Sequence, residues 1–186
     1  MNFFKRLFGS SKQEEDEQDD SYGIDKENAH PRAIELAPED FFWDCVDELA
    51  PFGSDEGDTA LAEYRDWRDE NPNKLTIECL KWTIESVGEM DFYEYNSELL
   101  SRTKIKEQIE DEDFDDHYYI FTLDVSVIAT GFGQLVDEGT IDQQNKPIIQ
   151  LAIDRQNIWA ELSEDWEYSK EYIEKLNVLS RVLREA

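Results

Sequence analysis

Between Tyr118 and Ala129 the chain is apolar at every second position. Tyr119, Phe121, Leu123, Val125, Val127 and Ala129 alternate with a mixed set: Tyr118, Ile120, Thr122, Asp124, Ser126 and Ile128. A period of two is the pattern of a half-buried strand, and a strand requires partners in a sheet. This run therefore sets the expected fold class. At least Tyr118 to Leu123 is predicted as strand. The full run exceeds the usual strand length, and Val125, Ile128, Ala129 and Phe132 also fit a short helix opened by Asp124, so a break is expected there. Leu135 and Val136 are read as the start of another extended piece. After the turn-rich Asp142 to Pro147 come a strand at Ile148 to Ile153 and extended chain at Ile158 to Leu162.

The flanking segments have helical periods. Pro38, Glu39 and Asp40 suit a first helical turn, Phe41, Phe42, Cys45, Val46 and Leu49 form a stripe, and Pro51 and Gly53 end it. A second helix is expected from about Asp58 to Asp69, stopped by Asn71-Pro72-Asn73. From Leu75 strand and helix patterns compete. Length decides for a helix through Val87, with Gly88 as a left-handed cap. Another helix is expected from Ser97 to about Glu110. The C-terminus reads as a long helix capped by Ser163, with Tyr172, Leu176, Leu179 and Leu183 on one face and Arg181 and Arg184 at its negative end. The fold predicted from these elements is α+β: a helix-rich N-terminal half, a small, mainly antiparallel sheet in the C-terminal half, and a long C-terminal helix. No solenoid-like repeat is present.

Charge bounds the function. The 186 residues carry 46 Asp and Glu against 18 Lys and Arg, a formal net charge of -28. A hydrophobic content of 39% and 12% aromatics exclude a fully solvated polyanion. Residues 1–31 hold eight acids and four bases and are read as a flexible acidic tail; residues 32–186 are read as a single globular domain of net charge -24. Such a surface repels phosphate backbones and anionic lipid, so nucleic acid is not an expected partner. It attracts cationic proteins and divalent ions. Cys45 and Cys79 lie 34 positions apart, outside any zinc-ligand pattern. With no secretory leader and no run approaching the ~20 apolar residues of a membrane span, a cytoplasmic protein with two reduced thiols and no cofactor is expected.

Three groups of residues stand out as candidate sites. The stretch Glu110 to His117, EDEDFDDH, is the densest acid cluster in the body. Its oxygens suit a hard cation, but the glycine and closing glutamate of an EF-hand loop are missing. Asp111, Glu112, Asp113, Asp115 and Asp116 are accordingly read as a partner-binding loop, with His117 beside it as a candidate base. Trp67, set among Arg65, Asp66, Arg68 and Asp69, has the surroundings of an interface anchor, and Trp43, Trp82, Trp159 and Trp166 divide between core and interface. Third, Phe3, Phe4, Leu7 and Phe8 make a short amphipathic start, with Lys5 and Arg6 between them, suited to weak peripheral membrane contact or partner docking.

No nucleophile, zinc-protease or phosphate-loop motif occurs, and Gly131-Phe132-Gly133 reads as a turn or close-packing point. Two functional classes follow. One is a non-enzymatic protein-binding domain that neutralises a basic partner; acidic immunity proteins are similar in size and charge. The other is a small carboxylate-based metal-binding or hydrolytic domain built on the loop at 111–117.

Overall fold

A computed structural model describes residues 24–163 and 165–186. Among these residues the regular structure is entirely helical, which overturns the predicted α+β class and its sheet. The elements are α1 (Pro31–Leu36), a 3-10 turn at Asp40–Trp43, α2 (Asp55–Glu70), α3 (Ile77–Val87), 3-10 turns at Phe92–Glu94 and Ser97–Leu100, α4 (Arg102–Glu110), a π-helical turn at His117–Thr122 that runs directly into α5 (Leu123–Glu138), α6 (Lys146–Leu162) and α7 (Ser169–Glu185). Helix α5 is the axis of the bundle: α1, α2, α3 and α6 pack against it, and α7 covers the outer side of α6. The packed body reaches back before residue 32, because Ile24 and Ala29 join the core.

The predicted strand failed for a physical reason. Every residue from Leu123 to Val136 is buried, so α5 is enclosed on all sides and the 3.6-residue stripe of a surface helix has no cause to appear. A continuous apolar run of that kind does not distinguish strand from enclosed helix by period. His117–Glu138 is also long and apolar enough to cross a membrane, but 89% of its apolar window is buried inside the molecule, as in a core helix. The glycines within it are close-packing points on two faces. A Cβ on Gly131 would stand 2.2 Å from Cδ1 of Ile149 in α6, and one on Gly133 would stand 2.9 Å from Cδ1 of Tyr64 in α2. The helix stops at Gly139, whose φ of +73° is left-handed, and a Cβ there would meet the His30 ring.

Other expected elements shift for local reasons. The segment read as the strand Ile148 to Ile153 and the extended Ile158 to Leu162 is α6, opened by Pro147 in its first turn, with Ile149, Ala152, Ile153, Gln156, Trp159 and Ala160 buried at helical spacing. The helix expected from Pro38 to Leu49 is only the 3-10 turn at Asp40–Trp43. Beyond it the Asp44 and Asp47 carboxylates accept from the backbone N–H groups of Val46 and Leu49, offering the chain an alternative to a helix. Phe42 is buried there, whereas Val46 is 80% exposed. Gly88 caps α3 with an ordinary right-handed φ of -80°, and Glu89 takes the positive φ instead. Helix α7 starts at Ser169, not at Ser163, whose hydroxyl donates to the Trp159 carbonyl in the last turn of α6.

A charged polar network centred on Asp124 lies inside this apolar bundle. Asp124, fully buried in the first turn of α5, accepts two bonds from the Arg155 guanidinium of α6, from Nε at 2.7 Å and Nη2 at 2.6 Å. Tyr95 Oη donates to the same carboxylate at 2.5 Å, and Gln156 Nε2 at 3.1 Å. Tyr172 of α7 in turn donates to Gln156 Oε1. Arg155 and Gln156 also donate to the carbonyls of Tyr119 and Ile120 within the π-turn. Burial pushes the Asp124 carboxyl up, while the Arg155 guanidinium and the donors Tyr95 and Gln156 oppose that shift. The Asp124 charge holds Arg155 protonated against burial.

Removing one charge from this pair leaves the other buried without compensation. Asp124→Asn is expected to lower the unfolding free energy by about 3–5 kcal/mol in urea denaturation. A second expectation concerns alkali. Burial raises the phenols of Tyr64, Tyr95 and Tyr172, reinforced by Glu138 at Tyr64 and by Asp124 at the other two. Burial likewise pushes the Cys79 thiol up to about 12. Groups with raised folded values keep protons that the unfolded chain releases. Stability should therefore fall as pH rises, from about 9 for Cys79 and from about 10 for the phenols, by up to ~1.4 kcal/mol per pH unit for each group. Tyrosinate absorbance at these three phenols should appear only together with loss of helical circular dichroism.

Candidate functional site

A cleft of about 360 Å³ that combines charge with aromatic surface lies where five segments converge. The loop before α2 supplies Glu48, and the first turn of α2 supplies Asp55 and Glu56. The opposite wall is aromatic: His117 and Phe121 from the π-turn, Trp159 from the end of α6 and Trp166 from the connection to α7. Local chemistry fixes each part. Ser54 caps α2 by accepting from the Gly57 N–H, and Asp55 and Glu56 complement the positive end of that helix. Glu56 Oε1 accepts from the Thr122 hydroxyl at the end of the π-turn, joining the two walls.

The aromatic wall is continuous. His117 stacks on Phe121 with ring centroids 4.8 Å apart; Phe121 and Trp159 are 5.7 Å apart, Trp159 and Trp166 5.3 Å, and Trp166 and Tyr172 5.4 Å. Phe121 and Trp159 are buried at the base of this wall, Trp166 is half-buried and His117 is exposed; among aromatic faces, indole attracts a cation most strongly. The lining combines three carboxylates with two indoles and contains no Lys or Arg. The Ser54 hydroxyl is committed to its cap, and the Cys79 thiol is buried elsewhere, in α3.

The predicted acidic loop borders this cleft but is only partly part of it. Asp116 Oδ2 accepts from Trp159 Nε1 at 2.7 Å and so anchors an indole of the cleft. Asp111 and Asp115 accept from backbone N–H groups of Asp113 and Tyr118 and shape the turn into the π-helix. Glu112 and Asp113 have exposed side chains. Among the described residues no group of three or more His, Cys, Asp or Glu side chains is arranged to hold a metal ion.

Trp67 lies away from this cleft, in a groove of about 350 Å³ that it shares with Trp82 of α3 and with Glu63, Asp66 and Glu70 of α2. Burial and the Asp66 charge raise the Glu63 carboxyl. The Arg68 guanidinium stands 5.3 Å from the Trp67 ring centroid. Phe3, Phe4, Leu7 and Phe8 fall outside the described residues. Sequence reading missed Glu48, Asp55, Glu56 and Phe121 as site residues. The carboxylates are three of many in so acidic a chain, and Phe121 was absorbed into the expected strand.

The two halves of the loop should respond differently to truncation. Asp116→Ala is expected to lower stability by about 1.5–3 kcal/mol, the usual range for a hydrogen bond to a charged group, while Asp116→Asn, which keeps an acceptor, retains much of it. Asp113→Ala should stay within about 0.5 kcal/mol. Urea denaturation of the three variants checks this. In comparisons with known proteins, no family model, no curated protein and no solved structure matches this chain.

Proposed function

We propose that this chain is a non-enzymatic, acidic protein-binding domain that captures a basic protein partner, as an inhibitor or immunity-type protein does. The observation that carries the reading is the pairing, in one cleft, of Glu48, Asp55 and Glu56 with the aromatic wall of Phe121, Trp159 and Trp166. Each feature supplies a different part of recognition. The net charge of -28 steers a cationic partner over distances of about a Debye length, and it does so for any cation. Indole rings at the centre of a contact supply the desolvated anchors that raise affinity and make it selective. A lysine or arginine entering the cleft gains carboxylate and π-face together, worth about 0.5–2 kcal/mol for the ring alone. The free thiols of Cys45 and Cys79 suit a reducing, cytoplasmic setting.

Affinity capture from the native cell lysate tests the reading, with elution by a salt gradient and identification by mass spectrometry. The expected result is one basic protein retained above about 150 mM salt, where the Debye length is about 8 Å, and lost from the Glu48→Lys variant. A broad set of basic proteins that elutes at low salt, or retention indifferent to Glu48→Lys, contradicts it.

A further inference from the structure

We infer that the outward face of α2 is a docking track for one basic helix of the partner, running from the cleft beside His117 to the groove between Trp67 and Trp82. The inference rests on the reading above and adds the shape of the partner's segment. At 100° per residue, Glu56, Glu63, Trp67 and Glu70 fall within about 60° of one another on α2, with Asp66 at the edge of the same stripe. Glu56 lines the cleft, and Glu63, Asp66, Trp67 and Glu70 line the groove. The two hollows therefore open on one helix face. With a rise of 1.5 Å per residue, roughly 16 Å separates Glu56 from Trp67 and about 21 Å separates Glu56 from Glu70.

The stripe itself carries no Lys or Arg. Arg65 and Arg68 of α2 lie on other faces of the helix and pair with Asp137 at 2.9 Å and Glu138 at 2.7 Å, Arg68 flanking one side of the Trp67 ring. Thr59, exposed, lies between the two hollows. The charged side chains of the stripe are thus all acidic, with indoles at each end. Trp67 already stands beside a guanidinium, that of Arg68, so the ring's use as a cation platform is seen within the molecule itself. Glu63 is half-buried, and an arriving cation offsets the cost of keeping its carboxylate charged there.

The repeat of the stripe selects a helix over an extended segment. Same-face positions of α2 recur every ~5.4 Å, and a helical partner has the same repeat, so its cations stay in register along the whole track. Same-face side chains of an extended strand recur every ~6.7 Å and drift by about 4 Å over three repeats. The fitting segment carries arginines at i, i+4, i+7 and i+11.

Two fluorescein-labelled, alanine-rich helical peptides of about 18 residues and identical composition test this. One carries four arginines at i, i+4, i+7 and i+11; the other carries them at i, i+1, i+9 and i+10, spread around the circumference. Anisotropy titrations with the full chain at about 150 mM salt are expected to show the one-face peptide binding at least ~10-fold more tightly. That ratio should fall to about one in both Glu63→Lys and Trp67→Ala, with helical circular dichroism unchanged. Equal affinities for the two peptides, or a ratio preserved in Glu63→Lys, overturns the track. If a lysate protein is still captured through Glu48 in that case, the binding-domain reading stands without it. Failure of both peptide binding and lysate capture removes both.

Discussion

A carboxylate in the middle of an apolar bundle is tolerable only if its surroundings are built around it, and Asp124 is such a group. Its two oxygens take four donors, from Arg155, Tyr95 and Gln156, and these come from α6 and from the loop between α3 and α4. A buried ion pair adds little net stability over an apolar replacement, because desolvation consumes most of the Coulomb attraction. What it does supply is uniqueness. Sliding α5 against α6 by one turn would strand both charges, so the pair fixes the register of these two helices. The same donors reach the carbonyls of Tyr119 and Ile120, which is how the π-turn is held at the head of α5.

That turn links the core to the surface site. Arg155 and Trp159 stand four residues apart on α6 and therefore on one face. While Arg155 holds Asp124, Trp159 meets Phe121 and accepts the restraint of Asp116. The cleft's aromatic wall is thus an outward continuation of the buried network. Its acidic wall is set independently, by the cap and first turn of α2. The charges behave consistently with this division. Arg65, Arg68, Arg155, Lys175 and Arg181 are each committed to a carboxylate within the fold. The acidic surplus that remains stabilises the fold little.

Much of the outer shell of the fold was legible in the sequence. α2, α3 and α7 lie at or near their predicted positions because each has a wet face, which preserves the helical stripe of Leu61 and Tyr64, of Leu80 and Ile84, and of Tyr172, Leu176, Leu179 and Leu183. The centre was not legible. α5 has no wet face, and the β-branched and aromatic content of Tyr118 to Val127 imitates a strand. In α6, half-buried Ile148 and Leu151 blur the step between Ile149, Ala152 and Ile153. The site followed the same rule. Asp116 and Trp67 were visible as an acid next to a histidine and a tryptophan among charges, but joining Glu48 to Trp166 requires the bundle, because the two are distant in sequence.

Native-state hydrogen exchange on Arg155→Met tests most directly whether the Asp124 network holds the π-turn and, through it, the cleft. Amides of residues 117–122 are expected to lose more protection than the core amides of α2 and α3. Equal loss in all three segments, or unchanged protection at 117–122, would contradict that role of the network.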